Sequence, residues 1–301
     1  MKAVKRSLTV SKRPSLLIDG QFSVSSAYSV PSHILKPTHV NSAAFAEVKT
    51  ESEIRQMRVP CRIAASALLL ATRIAQVGVT TEEIDKAVSS YIVSRGAYPS
   101  GIGFMGFPKS ICVSVNEVVA HGIPDNRPLQ NGDIVNFDVT CWKDGFYGDC
   151  SGMVAVGEVD AEGHRLINTT QEATETAIDK CTEGETLSVV PNTISEIARK
   201  AGFSVVPYFA GHFIGRSMHQ APNVSHWHSD ESMRNVVLKE GHVFTVEPIL
   251  CEGDPEANVW QDGWTYVTKD GGRTAQFEHT IVVRKNQPER LTIPDNENFV
   301  F

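Results

Sequence analysis

GDIVNFD (Gly132–Asp138) and GHVFTVE (Gly241–Glu247) decide how this chain is read. Each is a glycine, an alternating apolar run and a carboxylate at the seventh position, and the two lie 109 residues apart. A second pair, RGAY (Arg95–Tyr98) and AGFS (Ala201–Ser204), closes a helical stretch in each half at an offset of 106. Around these anchors the pattern runs helices then strands, twice. Helical stretches are predicted at 51–76 (strained by Pro60), at 80–96 from the capping box Thr80-x-x-Glu83, and at 162–181 and 190–201. Strand-like runs fall at 111–121, 133–142, 146–156, 203–214, 242–250, 264–268 and 274–283. The expectation is an α+β domain of two αβ halves, related by a pseudo-two-fold, around one shared sheet.

Alternation puts Val135, Phe137 and Val139 on one face of the first strand and Asn136 with Asp138 on the other. A two-residue turn at Lys143-Asp144 would set Asp138 directly opposite Asp149; one at Asp144-Gly145 would set them diagonally. In both registers they share a face. In the second half Glu247 lies with Val243 and Thr245, and Glu278 lies with Gln276 and Thr280. A solvated face would explain any one such acid. Four strands from two related halves, each presenting one, point to a buried acidic cluster, which cannot ionise without cations. Carboxylates bridging two divalent ions resolve that repulsion, as two-metal hydrolytic sites do. GHFIGRSMH offers the imidazoles His212 and His219, and its Gly211 and Gly215 suit backbone packed close to a ligand.

The composition excludes several other classes. At 301 residues, with 41% hydrophobic and 21% charged residues, the chain can bury a core without staples. No run reaches the ~18 apolar residues of a membrane helix. The net charge of −7 gives no basic footprint for nucleic acid. Five of the cations (Lys2, Lys5, Arg6, Lys12, Arg13) precede the first acid, Asp19, so −12 remains on the rest. The six cysteines form no C-x-x-C pair and read as reduced, apolar filling.

NEVVAHGIPD, GDIVNFDVT, KDGFYGD, GHFIGRSMH, VFTVEP, DGWTYVTKDG and AQFEHT, in that order over about residues 51–284, together resemble the type 1 methionine aminopeptidases. The resemblance implies the pita-bread fold, in which two αβ halves flank an antiparallel sheet and a dinuclear metal site. Carried over position by position, Asp138 would chelate one metal, His212 and Glu247 the other, and Asp149 with Glu278 would bridge them. The ions expected are cobalt, manganese, iron or zinc, with availability deciding. A bridging water or hydroxide would attack the scissile carbonyl, with Glu247 as proton acceptor, His219 near the carbonyl and His121 near the scissile nitrogen. Phe104, Phe107, Cys112, Met218 and Trp264 would form the methionine pocket. Met218 and Met105 stand where the family often has other residues. Asn116 matches a position that holds a monovalent cation. The implied reaction is removal of initiator methionine from nascent chains, with a small second residue preferred.

The nearest rivals within that fold are prolidase and X-prolyl aminopeptidase. These usually carry a further N-terminal domain that ~50 irregular residues cannot supply. A non-catalytic protein of the fold, binding protein or RNA, would be expected to have lost ligands. Residues 1–50 read as an extended arm and 51–301 as the catalytic unit. SVPSHILKP (Ser29–Pro37) resembles the segment preceding the catalytic domain in eukaryotic type 1 enzymes. The zinc-binding region many of those carry is missing, since no cysteine precedes Cys61, so any ribosome association would use another route. The protein is expected to be a cytoplasmic monomer. The basic, acid-free start keeps the mitochondrial matrix as the alternative.

Overall fold

A computed structural model describes residues 16–26, 28–37, 45–227 and 231–295. Its four helices are α1 (Glu51–Ile74), α2 (Thr81–Ser94), α3 (Ala161–Asp179) and α4 (Val189–Ala201). The first-half strands are β1 (Tyr98–Pro99), β2 (Cys112–Val115), β3 (Val118–Ala120), β4 (Ile134–Lys143) and β5 (Phe146–Ala155). Then come β6 (Ser204–Val205), β7 (Ala210–Phe213), β8 (Gln220–Ser225), β9 (Val243–Val246) and β10 (Ile249–Cys251). The chain closes with β11 (Ala257–Val259), β12 (Tyr266–Thr268), β13 (Thr274–Gln276), β14 (Glu278–Val282) and β15 (Glu289–Arg290).

Helices α1 and α2 start from the same local chemistry. Thr80 Oγ1 accepts the Glu83 N–H at 3.2 Å while the Glu83 carboxylate accepts the Thr80 N–H at 2.8 Å. Thr50 and Glu53 repeat this reciprocal cap at the head of α1. Helix α1 runs through Pro60, whose carbonyl accepts the Cys141 thiol at 3.1 Å.

The main sheet has the path β1-β4-β5-β14-β9-β7-β8, with β2 added to β4 and β15 to β14, and all pairings are antiparallel. Its centre is palindromic. The duplicated strands β4 and β9 flank the central pair β5 and β14, so the pseudo-two-fold passes between the last two. Several expected strands are split. The run 242–250 breaks at Glu247-Pro248, because proline has no N–H to continue the ladder. The run 203–214 breaks around Pro207 for the same reason. Strand β8, QAPNVS, has no alternation to announce it and was not expected.

The turn of the β4–β5 hairpin is Asp144-Gly145, at φ 50° and 92°, with Lys143 opposite Phe146. Two left-handed residues suit the twist of a two-residue hairpin. This selects the diagonal register: Asp138 faces Ser151 and Asp149 faces Thr140. The apolar faces behave as the alternation requires. Val135, Phe137 and Val139 are fully buried in a cluster with α1 and α2, and Phe244, Val246 and Ile281 in one with α3 and α4.

Among the described residues before Glu51 there is no helix and only one isolated bridge, Val48 to His242. This strap is nonetheless fixed to the body. Ser23 and Asn126 exchange hydrogen bonds at 2.8 and 3.1 Å, and the Asp19 carboxylate accepts the Gln261 N–H at 3.0 Å. Buried Lys109 reaches both Ser25 Oγ and the Glu82 carboxylate at 2.8 Å, beneath the Tyr28 ring. The basic stretch Lys2–Arg13 lies outside the described residues.

Helix α1 meets the strand that carries Asp149 at a point with no room for a side chain. A Cβ on Gly148 would stand 2.4 Å from the Cys61 nitrogen and 2.5 Å from the Pro60 carbonyl carbon. Gly152, four residues along on the same face, would place its Cβ 3.4 Å from a flexible Leu68 methyl. Gly148→Ala is therefore expected to destabilise by about 1–3 kcal/mol or more and Gly152→Ala by under ~1 kcal/mol, read from denaturant midpoints. Equal midpoints for the two would contradict this contact.

Candidate metal centre

The face opposite the apolar one gathers the acids. Glu278 on β14 pairs with Ser151 on β5, which pairs with Asp138 on β4. Asp149 lies two pairs along, and Thr280, next to it across the sheet, pairs with Thr245 two residues before Glu247. His212 comes in from β7, with Nε2 3.8 Å from Asp149 Oδ2 and 3.7 Å from Glu247 Oε1. Ligand atoms of Asp149, His212 and Glu278 lie within 4.8 Å of one another. The five expected ligands are brought together.

Hydroxyls aim them. Thr140 Oγ1 donates to Asp149 Oδ1 at 2.7 Å, and Thr245 Oγ1 donates to Glu247 Oε1 at 2.6 Å. The His212 ring nitrogen Nδ1 lies 3.2 Å from the Phe213 carbonyl. Donation there leaves Nε2 as the lone-pair nitrogen, facing the acids. Burial, then the neighbouring His219, hold the His212 pKa down at about 3, so the ring is neutral.

The carboxyls behave oppositely. Burial pushes Asp138 well above the usual range, and the Asp149 charge adds to it. Burial raises Asp149 to about 7 against the hydrogen bonds from Thr140 and the Cys150 backbone. Glu247 and Glu278 are raised well up, by burial first and by the other acids. Among the described residues no lysine or arginine lines the cavity above them. Four carboxyls and a neutral imidazole, with no counter-charge, form a hard donor set suited to divalent cations. The 3.7 and 3.8 Å separations fit as well, being shorter than two metal–ligand bonds of ~2.1 Å.

Above the acids is a cavity of about 400 Å³. Every residue expected in the site except Asn116 lines it: the five ligands, His121, His219, Phe104, Phe107, Cys112, Met218 and Trp264. Phe107 meets Trp264 edge-on at 5.1 Å, Phe104 meets His219 at 5.4 Å, and His121 meets Phe209 at 5.3 Å. The backbone N–H of Trp264 is caught by the Asp262 carboxylate at 2.7 Å. His121 has φ 56°, a left-handed backbone rare outside glycine and concentrated at functional sites. Burial and nearby His219 lower its pKa to about 4. The two departures separate: Met218 is part of the buried wall, whereas Met105 stands 83% exposed at the mouth with Tyr208.

Asn116 lies away from the cavity, at φ 53°. Its carbonyl accepts the Thr274 N–H at 2.8 Å, and the Val118 carbonyl accepts the Thr274 hydroxyl at 2.8 Å. Gly211 and Gly215 are tightly packed, but not by the cavity. A Cβ there would meet the Thr245 carbonyl at 2.4 Å and the Lys49 side chain at 2.7 Å. Sequence reasoning missed His226, Tyr208 and Phe209, which carry no periodic or motif signal.

The raised Asp149 gives a pH test. Its folded pKa of about 7 lies above the ordinary 3.8, so its contribution to stability is present only while it is protonated. That contribution is complete at about pH 4 and is lost as pH rises through about 7. Compared metal-free, Asp149→Asn should therefore gain melting temperature relative to wild type across this window. A difference that stays flat from pH 4 to 8 would contradict the desolvated carboxyl.

Residues 55–285 match metallopeptidase family M24. The mitochondrial methionine aminopeptidase 1D of Homo sapiens is 45% identical over 275 residues, covering 89% of this chain and 81% of that protein. The chloroplastic methionine aminopeptidase 1B of Arabidopsis thaliana is 44% identical, covering 87% and 72%. The crystal structure of methionine aminopeptidase from Rickettsia prowazekii superposes with a TM-score of 0.80 at 40% identity, over 83% of this chain and all of that one. The chain thus belongs to metallopeptidase family M24, among the type 1 methionine aminopeptidases, and has their pita-bread fold.

Proposed function

We propose that the assembled site removes the initiator methionine from nascent polypeptides through the residues named above. The observation that carries this reading is the position of the acid-and-imidazole floor directly beneath an aromatic and sulfur-lined cavity. Asp138, Asp149, His212, Glu247 and Glu278 would hold two divalent ions of the cobalt, manganese, iron or zinc class. When bound, such ions supply Lewis acidity and a water acidic enough to act near neutral pH. Phe104, Phe107, Cys112, Met218 and Trp264 bind the methionine side chain by dispersion, sulfur against aromatic. Burial and the Asp138 charge keep the Cys112 thiol protonated, so it acts as wall and not as nucleophile.

His219, its ring 4.3 Å from that of His212, hydrogen-bonds the substrate carbonyl oxygen. His121 serves the scissile nitrogen. Burial keeps both rings neutral, so each offers one donor and one acceptor. Glu247 takes a proton through the carboxylate oxygen that Thr245 leaves free. The carbonyls of Asn116 and Val118, converging beside Thr274, support the monovalent-cation assignment.

The match over residues 55–285 supports an arm at 1–50 on a catalytic unit at 51–301. The mitochondrial name of the human relative favours the mitochondrial matrix over the cytoplasm expected first. Its partners are the N-termini of nascent chains.

Metal-stripped protein should release nothing from Met-Ala-Ser. Added manganese or cobalt should restore methionine release, leaving Ala-Pro-Ser intact. Asp138→Asn should lower kcat/KM by at least about 100-fold. Cleavage of the prolyl peptide would move the activity to the prolidase side of the fold. No cleavage with both ions bound would make the chain a binding protein.

A further inference from the structure

Glu247 is the first residue past β9, and Pro248 follows it. Its N–H therefore falls where the sheet ladder stops. A buried backbone donor without a partner is costly and rare. Here the partner is a side chain from another part of the chain: the N–H donates to Nε2 of His226 at 3.0 Å. His226 is 1% exposed and lies beyond β8, on a segment with no place in the reaction described above. Because Nε2 accepts, the ring proton is on Nδ1. The same ring hydrogen-bonds the Phe209 backbone. Phe209 in turn packs edge-on against His121 at 5.3 Å and Tyr266 at 5.1 Å.

The rest of Glu247 is held from other directions. Thr245 donates to Oε1, while Gln276 Nε2 reaches the carbonyl oxygen at 3.3 Å and Oε2 at 3.4 Å. Gln276 holds the backbone carbonyl, whereas His226 secures the N–H and, through the Phe209 backbone, joins it to the wall behind His121. A side chain here must both accept and donate, which a neutral histidine or a glutamine does and an aliphatic residue does not.

We propose that His226 is a positioning residue: it sets the direction from which Glu247 enters the metal centre and locks that strand end to the Phe209–His121 wall. This rests on the reading of Glu247 as a ligand. Partners behind metal ligands typically change metal affinity or activity by 10–100-fold when removed.

The test uses the full chain with manganese as probe. Binding is followed by titration calorimetry and by the electron paramagnetic resonance of the bound ions, beside kcat and KM on Met-Ala-Ser. His226→Leu should weaken one manganese site by about 10–100-fold, alter the resonance signature and lower kcat by a similar factor, with KM changing less. His226→Gln, which keeps an acceptor and a donor, should recover most of both. If the leucine variant does not fold, His226→Asn, whose amide is too short to reach Glu247, takes its place against His226→Gln. Wild-type manganese affinities and kcat in a folded leucine or asparagine variant would overturn the proposal. So would a glutamine variant no better than they are. A wild-type protein that binds fewer than two ions would instead count against the metal-site reading itself.

Discussion

Like charge confined away from water is the constraint around which this molecule is arranged. Asp138, Asp149, Glu247 and Glu278 gather on one sheet face, all raised by burial and all but Asp149 by their acidic neighbours too, and among the described residues no lysine or arginine lines the cavity they share. A sheet that tolerates this must fix each carboxyl from behind and leave its charge to an external cation. The threonine hydroxyls at 140 and 245 and the neutral imidazole of His212 do so without adding a counter-charge. The apolar reverse of the same strands, packed on two helix pairs, supplies the stability that the acidic face withholds.

The acids were legible because a strand has a period of two. In both duplicated segments the carboxylate falls on the face opposite the phenylalanine, and the structure keeps that assignment. The hairpin register was narrowed to two choices and decided by one fact outside the alternation, the left-handed pair Asp144-Gly145. Helix starts were also readable, since a capping box lies within four residues. Strand breaks at prolines were underestimated: Pro207 and Pro248 each divide a run whose hydrophobicity looked continuous.

What could not be read was every contact made across the fold by a residue with no local pattern. His226 reaches Glu247 over 21 positions and Asn136 reaches the Gln276 carbonyl over 140. Nothing in SHWH or in NFD announces either bond. The pocket shows the same limit. Trp264 and Phe107 were found through a resemblance that supplies order and spacing, whereas Tyr208 and Phe209 at the mouth needed coordinates. The strap before Glu51 has no period of its own, yet its polar atoms are matched one by one to Asn126, Lys109 and Gln261.

The palindrome at the centre of the sheet bears on the descent of the fold. A half consisting of β4 and β5 alone would end in an open edge at β5, a surface prone to pair with any other strand. Two such halves meeting edge to edge close it and give the path β4-β5-β14-β9 now seen. The interface is then the same patch on both sides, as in a two-fold homodimer. The single chain reads as a symmetric dimer joined by a linker, after which the halves were free to diverge. One kept an aspartate pair on β4 and β5, and the other took two glutamates and the histidine.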